Sequence, residues 1–198
     1  MNAHNRGAVG QRPWTHKGVR WVVAGAGAAW LLGTMPARAV DGVALEYGNA
    51  HSLGVDLARA ALQWDWKVRW LESGNWHVAG HWDVAVARWF NDEPLRTSSG
   101  LWDFSVTPVL RLQQTARSAI SPYLEAGVGA HLISETSVSP ERQFSTAFQF
   151  GSHIGLGVRF GPHHEYDIGY RFRHLSNAGI KRPNDGIEFH EVRLGYWF

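Results

Sequence analysis

Residues 122–132 read Pro-Tyr-Leu-Glu-Ala-Gly-Val-Gly-Ala-His-Leu, and this stretch decides the fold class. Every second residue from Leu124 to Leu132 is aliphatic, whereas the residues between them are glycine or carry polar groups. Successive side chains of a β-strand point to opposite faces of the sheet, so the alternation predicts a strand with one apolar and one polar face.

The same alternation recurs along the chain in segments of about ten residues that are separated by turn-forming residues, the pattern of a transmembrane barrel. We predict eight strands, and they run over 42–50, 52–66, 76–90, 100–114, 120–134, 146–160, 164–176 and 187–198. In lipid, a sheet has to close on itself, because an open edge leaves backbone groups without hydrogen bonds. The sequence therefore predicts an all-β protein, an eight-stranded antiparallel transmembrane β-barrel of the outer-membrane type.

The polar positions of the strands carry Gly, His, Arg, Asp and Glu, and we expect them to face the barrel interior. The large apolar residues then face the lipid, whereas a soluble barrel would place them inside. Tryptophan favours membrane interfaces, so we expect an interfacial girdle. Its predicted members are Trp64, Trp66, Trp70, Trp76, Trp82, Trp89 and Trp102. Longer loops at 91–99 and 135–145 are expected outside the cell, and a short turn at 161–164 in the periplasm.

Residues 1–39 have the order of a secretory signal peptide: a basic start, an apolar run over 21–33, and the cleavage pattern Ala37-Arg38-Ala39. We expect one barrel domain over 40–198. The 198-residue chain has 19 Lys and Arg against 17 Asp and Glu, but five of the basic residues precede Val40. That leaves 14 against 17, a net charge of −3, which gives no support for nucleic-acid binding. Cysteine is absent, so the fold has no disulfide.

The stretch 170–188 carries the chemistry. His174 and Ser176 are two residues apart and share the apolar, outward face of their strand. Turn formers follow, and Glu188 begins the next strand on its own outward face, where we expect it beside His174. Polar groups that face hydrocarbon are costly, and the cost is lower near the membrane interface. The grouping therefore predicts a site at the outer rim of the barrel.

These residue types suit acyl transfer. A serine hydroxyl becomes a nucleophile when a base removes its proton, and His174 can act as that base. Glu188 can hold the imidazole and stabilise its charged form. Asn177 and the backbone N–H groups of Ala178 and Gly179 directly follow Ser176 and could stabilise an oxyanion. The competing interpretation of these residues is a set of polar loop residues at the barrel rim.

The segment resembles the active-site region of the lipid A 3-O-deacylase family of outer-membrane enzymes, the PagL type. The matching residues are His174, Ser176, Asn177, Ala178, Gly179, Pro183, Asn184, Gly186 and Glu188. The resemblance implies an eight-stranded barrel and a Ser176–His174–Glu188 triad. It also implies an oxyanion hole from the Asn177 side chain with the amides of Ala178 and Gly179, and hydrolysis of the 3-O-acyl ester of lipid A.

Two other hypotheses stay open at this point. One is a non-catalytic structural or adhesive barrel of the OmpX or OmpA type, and the other is a soluble barrel that binds a lipid inside. Lipid A and the outer membrane are the expected partners, and no cofactor or metal is expected because the histidines lack ligand spacing. The sequence leaves a monomer and a homodimer open.

Overall fold

The computed structural model describes residues 39–91, 100–115, 119–139 and 142–198. The predicted signal peptide lies outside the described residues apart from Ala39, and the predicted loop 91–99 lies outside them apart from Asn91. Within the described ranges, no helix has the length and apolar character needed to cross a membrane.

Strands account for most of the described residues. They are β1 (Gly42–Ala50), β2 (Val55–Ser73), β3 (Trp76–Asn91), β4 (Gly100–Gln114), β5 (Ile120–Ile133), β6 (Ser137–Ser139), β7 (Arg142–Gln143), β8 (Phe148–Phe160), β9 (Tyr166–Ser176) and β10 (Ile187–Trp197). A single turn of 3-10 helix, His51–Leu53, joins β1 to β2. The strands pair in the order β1-β10-β9-β8-β5-β4-β3-β2 and close, while β6 and β7 form a separate hairpin. The predicted eight-stranded antiparallel barrel is confirmed.

The two faces of the wall follow the predicted parity. Buried inward charges form ion pairs such as Arg111 Nη2–Glu125 Oε2 at 2.7 Å and Arg173 Nε–Glu191 Oε1 at 2.7 Å. Outward positions of the same strands carry exposed Leu, Ile, Val and aromatic side chains. Buried charges are tolerated where they are paired, and apolar surface is stable against lipid. The part of the interior that these ion pairs fill cannot hold a lipid, and the large apolar side chains of the same strands face outward, so the soluble-barrel hypothesis is wrong.

One end of the barrel is filled by apolar side chains. The long connections 134–147 and 177–186 lie at this end, which we assign to the cell exterior. Inside it, Trp89 packs against Phe144 and Phe189, with ring centroids 6.3 and 4.9 Å apart. Trp89 is 1% exposed, so its assignment to the interfacial girdle is wrong. An odd position on β3 faces inward, and here the interior beneath the β6–β7 hairpin is apolar.

Candidate active site

His174 and Glu188 meet on the outer wall of the barrel. The two residues are direct partners in the β9–β10 register. His174 Nδ1 lies 3.5 Å from Glu188 Oε1, and the side chains are 42% and 62% exposed. The imidazole and the carboxylate therefore meet on the face that the strand alternation predicts.

Ser176 ends β9 on the same face, two residues from His174, and its register partner on β8 is Phe150. The neighbouring side chains of Leu175 and Ile187 point the other way and are fully buried in the apolar cluster inside the barrel. This inward packing fixes which residues of the two strands face outward. Because Leu175 and Ile187 face the interior, their neighbours His174, Ser176 and Glu188 face outward together.

A glycine makes room for the imidazole. Gly186 has a φ of +65°, and a Cβ atom built on it would lie 3.0 Å from His174 Cε1. A side chain here would be both strained and pressed against the ring. The Asp-Gly turn before β10 therefore reverses the chain and also leaves space for the imidazole of His174.

The connection 177–186 is held by the side chain of Asn177, which is completely buried. Asn177 Nδ2 donates to Ser145 Oγ at 3.0 Å and to the Lys181 carbonyl at 2.8 Å. Its backbone N–H donates to Asn184 Oδ1 at 2.9 Å. The bond to Ser145 ties the end of β9 to the segment after the hairpin, which is more than 30 residues earlier in the chain, and the other two bonds close the connection on itself.

The three predicted oxyanion donors differ in their present partners. Both Nδ2 hydrogens of Asn177 are engaged, and the N–H of Gly179 donates to Asn177 Oδ1 at 3.0 Å. The N–H of Ala178 donates to no acceptor within the described part of the chain. Ala178 and Gly179 have φ values of +54° and +78°, so the backbone turns sharply just after Ser176.

An apolar groove runs over the outer wall from His174. This groove, which we call groove A, has a volume of about 660 Å³ and crosses β9, β8, β5 and β4 to reach Trp66. Phe172 and Ile154 line it, together with one hydroxyl-bearing side chain, Ser152, the register partner of His174. Ser152 was not among the predicted site residues, although its even number in β8 predicts the outward face.

Among the residues that the structure describes, no group of three or more His, Asp or Glu side chains could hold a metal ion. An imidazole, a carboxylate and a hydroxyl lie on one outer face of the rim beside an apolar groove. Of these three described side chains, the imidazole of His174 contacts Glu188, whereas no hydrogen bond joins it to the hydroxyl of Ser176. This set can activate a hydroxyl toward an ester whose acyl chain is held in lipid.

Comparisons with known proteins agree on one family. The family model described as lipid A 3-O-deacylase (PagL) matches residues 56–197. The chain is 36% identical over 163 residues to lipid A deacylase PagL of Bordetella bronchiseptica, covering 79% of this chain and 83% of that protein. It is 32% identical over 134 residues to lipid A deacylase PagL of Pseudomonas aeruginosa, covering 68% of this chain and 73% of that protein.

A solved structure gives the same result. The crystal structure of the outer membrane enzyme PagL matches with a TM-score of 0.68 and 29% identity, covering 79% of this chain and 99% of that one. The family match runs from the start of β2 to the end of β10 and includes the two strands that carry the site. The chain therefore belongs to the lipid A 3-O-deacylase (PagL) family.

Proposed function

We propose that this protein hydrolyses the ester between lipid A and its 3-O-linked 3-hydroxyacyl chain, in the outer membrane, through Ser176, His174 and Glu188. The observation that carries the proposal is the His174–Glu188 pair on the lipid-facing wall, with Ser176 on the same face. Polar groups that face lipid cost free energy, so their presence here indicates a function. An outward-facing site in the membrane can meet a lipid substrate by lateral diffusion.

The proposed reaction has two steps. His174 Nε2 takes the proton of Ser176 as Oγ attacks the ester carbonyl, and the same proton then passes to the departing sugar oxygen. An acyl-serine remains. Water, activated by His174, attacks this second ester, and the fatty acid leaves as Ser176 recovers its proton. Because Nδ1 of His174 faces Glu188, the carboxylate favours the tautomer that leaves Nε2 free to accept.

The oxyanion needs N–H donors near Ser176. We assign this role to Ala178, Gly179 and the side chain of Asn177. The free N–H of Ala178 supports the first assignment, while Asn177 and Gly179 would each have to exchange a present partner. Asn177 also positions the backbone that carries the other two donors.

Groove A provides a place for the reacting chain. It begins at His174 and is lined almost wholly by apolar side chains, as an acyl chain requires. A purely structural barrel of the OmpX or OmpA type has no need of this combination of a polar rim cluster and an adjoining groove. Family membership also favours the enzyme over that alternative.

The direct test is the mass spectrum of lipid A from cells that express the protein. Cells with the wild type should contain lipid A that lacks one 3-hydroxyacyl chain. Cells with Ser176→Ala should contain no such deacylated lipid A, although the variant folds normally. Ser134→Ala, a serine on the β5 side of the same barrel end, should keep full activity. Complete deacylation by Ser176→Ala would rule out the proposed nucleophile.

We also propose that residues 1–39 are removed on export, so that N-terminal sequencing of the membrane form would begin at Val40.

All three proposed catalytic side chains come from one chain. A homodimer is therefore not required for the reaction.

A further inference from the structure

A second polar pair faces the lipid beside the site. Tyr170 on β9 is 39% exposed, and His190 on β10 is exposed on the same outer face. The hydroxyl of Tyr170 is hydrogen-bonded to His190 Nδ1, and the His190 ring lies 5.2 Å from the ring of Phe172. His190 is the register partner of Phe172, four residues from Ser176 along β9, so it lies about 13 Å farther along the wall than the proposed nucleophile.

This pair always has one hydrogen-bond donor left over. A neutral histidine has one N–H and tyrosine has one O–H, and their mutual bond uses only one of the two. If Tyr170 donates, the Nε2–H of His190 remains, and if His190 donates, the O–H of Tyr170 remains. A free donor on an apolar wall is costly until an acceptor covers it. In a membrane, the abundant acceptors at this depth are the carbonyl groups of acyl chains.

A second groove begins at Tyr170. Groove B has a volume of about 890 Å³, is lined by Tyr170 and Val192, and crosses β8, β5 and β4 to Trp76. Its lining is almost wholly apolar. Tyr170 thus stands at the start of groove B, as His174 stands at the start of groove A, and His190 adjoins groove B through its hydrogen bond to Tyr170.

The two grooves run side by side. Groove A follows the cross-strand row Phe172–Ile154–Ala126–Leu110, and groove B follows the row Tyr170–Leu156–Leu124–Leu112. The rows are two residues apart on every strand, so the grooves follow the same direction over the wall. Parallel grooves can hold parallel acyl chains. In one lipid A molecule, several acyl chains extend side by side from the same headgroup.

We propose that groove B, with Tyr170 at its head and His190 hydrogen-bonded to that tyrosine, binds a second acyl chain of the same lipid A molecule, one that is not hydrolysed. This rests on the proposed function. The donor of the pair would bind a carbonyl carried by that chain, about 13 Å along the wall from the ester under attack at Ser176. The nearest candidate is the chain on the neighbouring carbon of the same sugar.

The test compares two substrates in detergent micelles. One is complete lipid A, and the other is a glucosamine with the 3-O-acyl chain and only an acetyl group at position 2. The double variant Tyr170→Phe/His190→Phe removes the donor and keeps two rings. For complete lipid A, its apparent KM should rise about fivefold, the worth of one net hydrogen bond, with kcat retained. For the one-chain substrate, the apparent KM should change less than twofold.

A matched control lies on the same two strands. Tyr166 and Tyr196 are register partners on the outer wall, at the other end of β9 and β10 and outside both grooves. The double variant Tyr166→Phe/Tyr196→Phe should leave the apparent KM unchanged for both substrates. A variant that fills groove B, Leu156→Trp, should raise KM for complete lipid A alone. Leu45→Trp, on the exposed wall of β1 and outside both grooves, should not.

Two results would overturn the proposal. One is an equal change in KM for both substrates, which would make the pair a structural feature of the wall. The other is a double variant whose only defect is a lost response to added phosphatidylethanolamine, which would make groove B a phospholipid site. The proposed function is tested separately, because Ser176→Ala must abolish hydrolysis of both substrates.

Discussion

The contact between His174 and Glu188 is longer than a strong charge-assisted hydrogen bond, and both side chains are partly exposed. Exposed pairs of this kind contribute little in water because the solvent screens them. Attraction between charges rises as the local dielectric constant falls. A lipid A molecule that covers the rim would exclude water, so the pair should become strongest when the substrate is bound.

Glu188→Gln tests this idea at a single residue. The amide keeps the shape of the side chain but removes the charge that stabilises the imidazolium, and it can favour the wrong tautomer of His174. The expected result is a fall in kcat of about 10²–10⁴-fold with the barrel intact, by analogy with the buried triad carboxylate of serine proteases. Single-turnover release of fatty acid measures it. Glu165→Gln, in the turn at the opposite end, is the control, and comparable rates for both variants would exclude Glu188 from the mechanism.

The sequence predicts the outward face of His174, Ser176 and Glu188 because that depends only on the two-residue period of a strand. It does not predict the partners of Asn177. Ser145 lies 32 residues away from Asn177, and its contact depends on how the hairpin segment folds over the barrel end. Apolar residues at inward strand positions, such as Leu175, Ile187 and Phe189, are the local sign that this barrel end is not filled with charges.

At the scale of elements, the predicted barrel strands agree closely with those observed, and the differences have local causes. β2 continues to Ser73, seven residues beyond its predicted end, because register shifts after Asp65 and Trp70 let it stay paired with β3. Lys67 and Leu71 take up positive φ values of 59° and 51° there. Alternation breaks at such bulges, so a pattern search ends the strand too early. The short β6–β7 hairpin has too few residues to show a period.

The connection 177–186 is the element on which the site most depends, and Asn177→Ala should loosen it. The variant loses the bonds from Nδ2 to Ser145 and to the Lys181 carbonyl, and the bond from the Gly179 N–H to Oδ1. Local opening should increase, although the bonds from Ser145 to the Lys181 and Pro183 carbonyls remain. Trypsin should then cut after Lys181 at least about five times faster than in the wild type, the effect of losing one net hydrogen bond of roughly 1 kcal/mol. Asn75→Ala, in the turn between β2 and β3, is the control. An unchanged cleavage rate would mean that the connection does not rely on Asn177.

On the scale of the whole molecule, the barrel separates stability from chemistry. The inward face is held by ion pairs that connect distant strands: Arg171 Nη1 on β9 lies 2.8 Å from Glu46 Oε1 on β1. Arg111 Nη1 on β4 lies 2.9 Å from Asp167 Oδ2 on β9. The outward face carries the proposed catalytic groups and both grooves. A change on the inner face should therefore alter the folded fraction without altering the reaction.

Glu125→Gln provides this test. Glu125 is buried and accepts hydrogen bonds from Arg111 and Arg171, which keep Asp167 and Glu46 as their other partners. Removing one partner from a buried ion pair costs about 3–5 kcal/mol, and the remaining carboxylates should hold the loss near the lower value. The urea midpoint should fall accordingly when folded and unfolded forms are separated by gel mobility, whereas the exposed control Glu135→Gln should not shift it. The kcat of the folded fraction should stay unchanged, because Glu125 lies on the opposite face of the wall from His174. A loss of kcat in proportion to the loss of stability would show instead that the interior network holds the outer site in register.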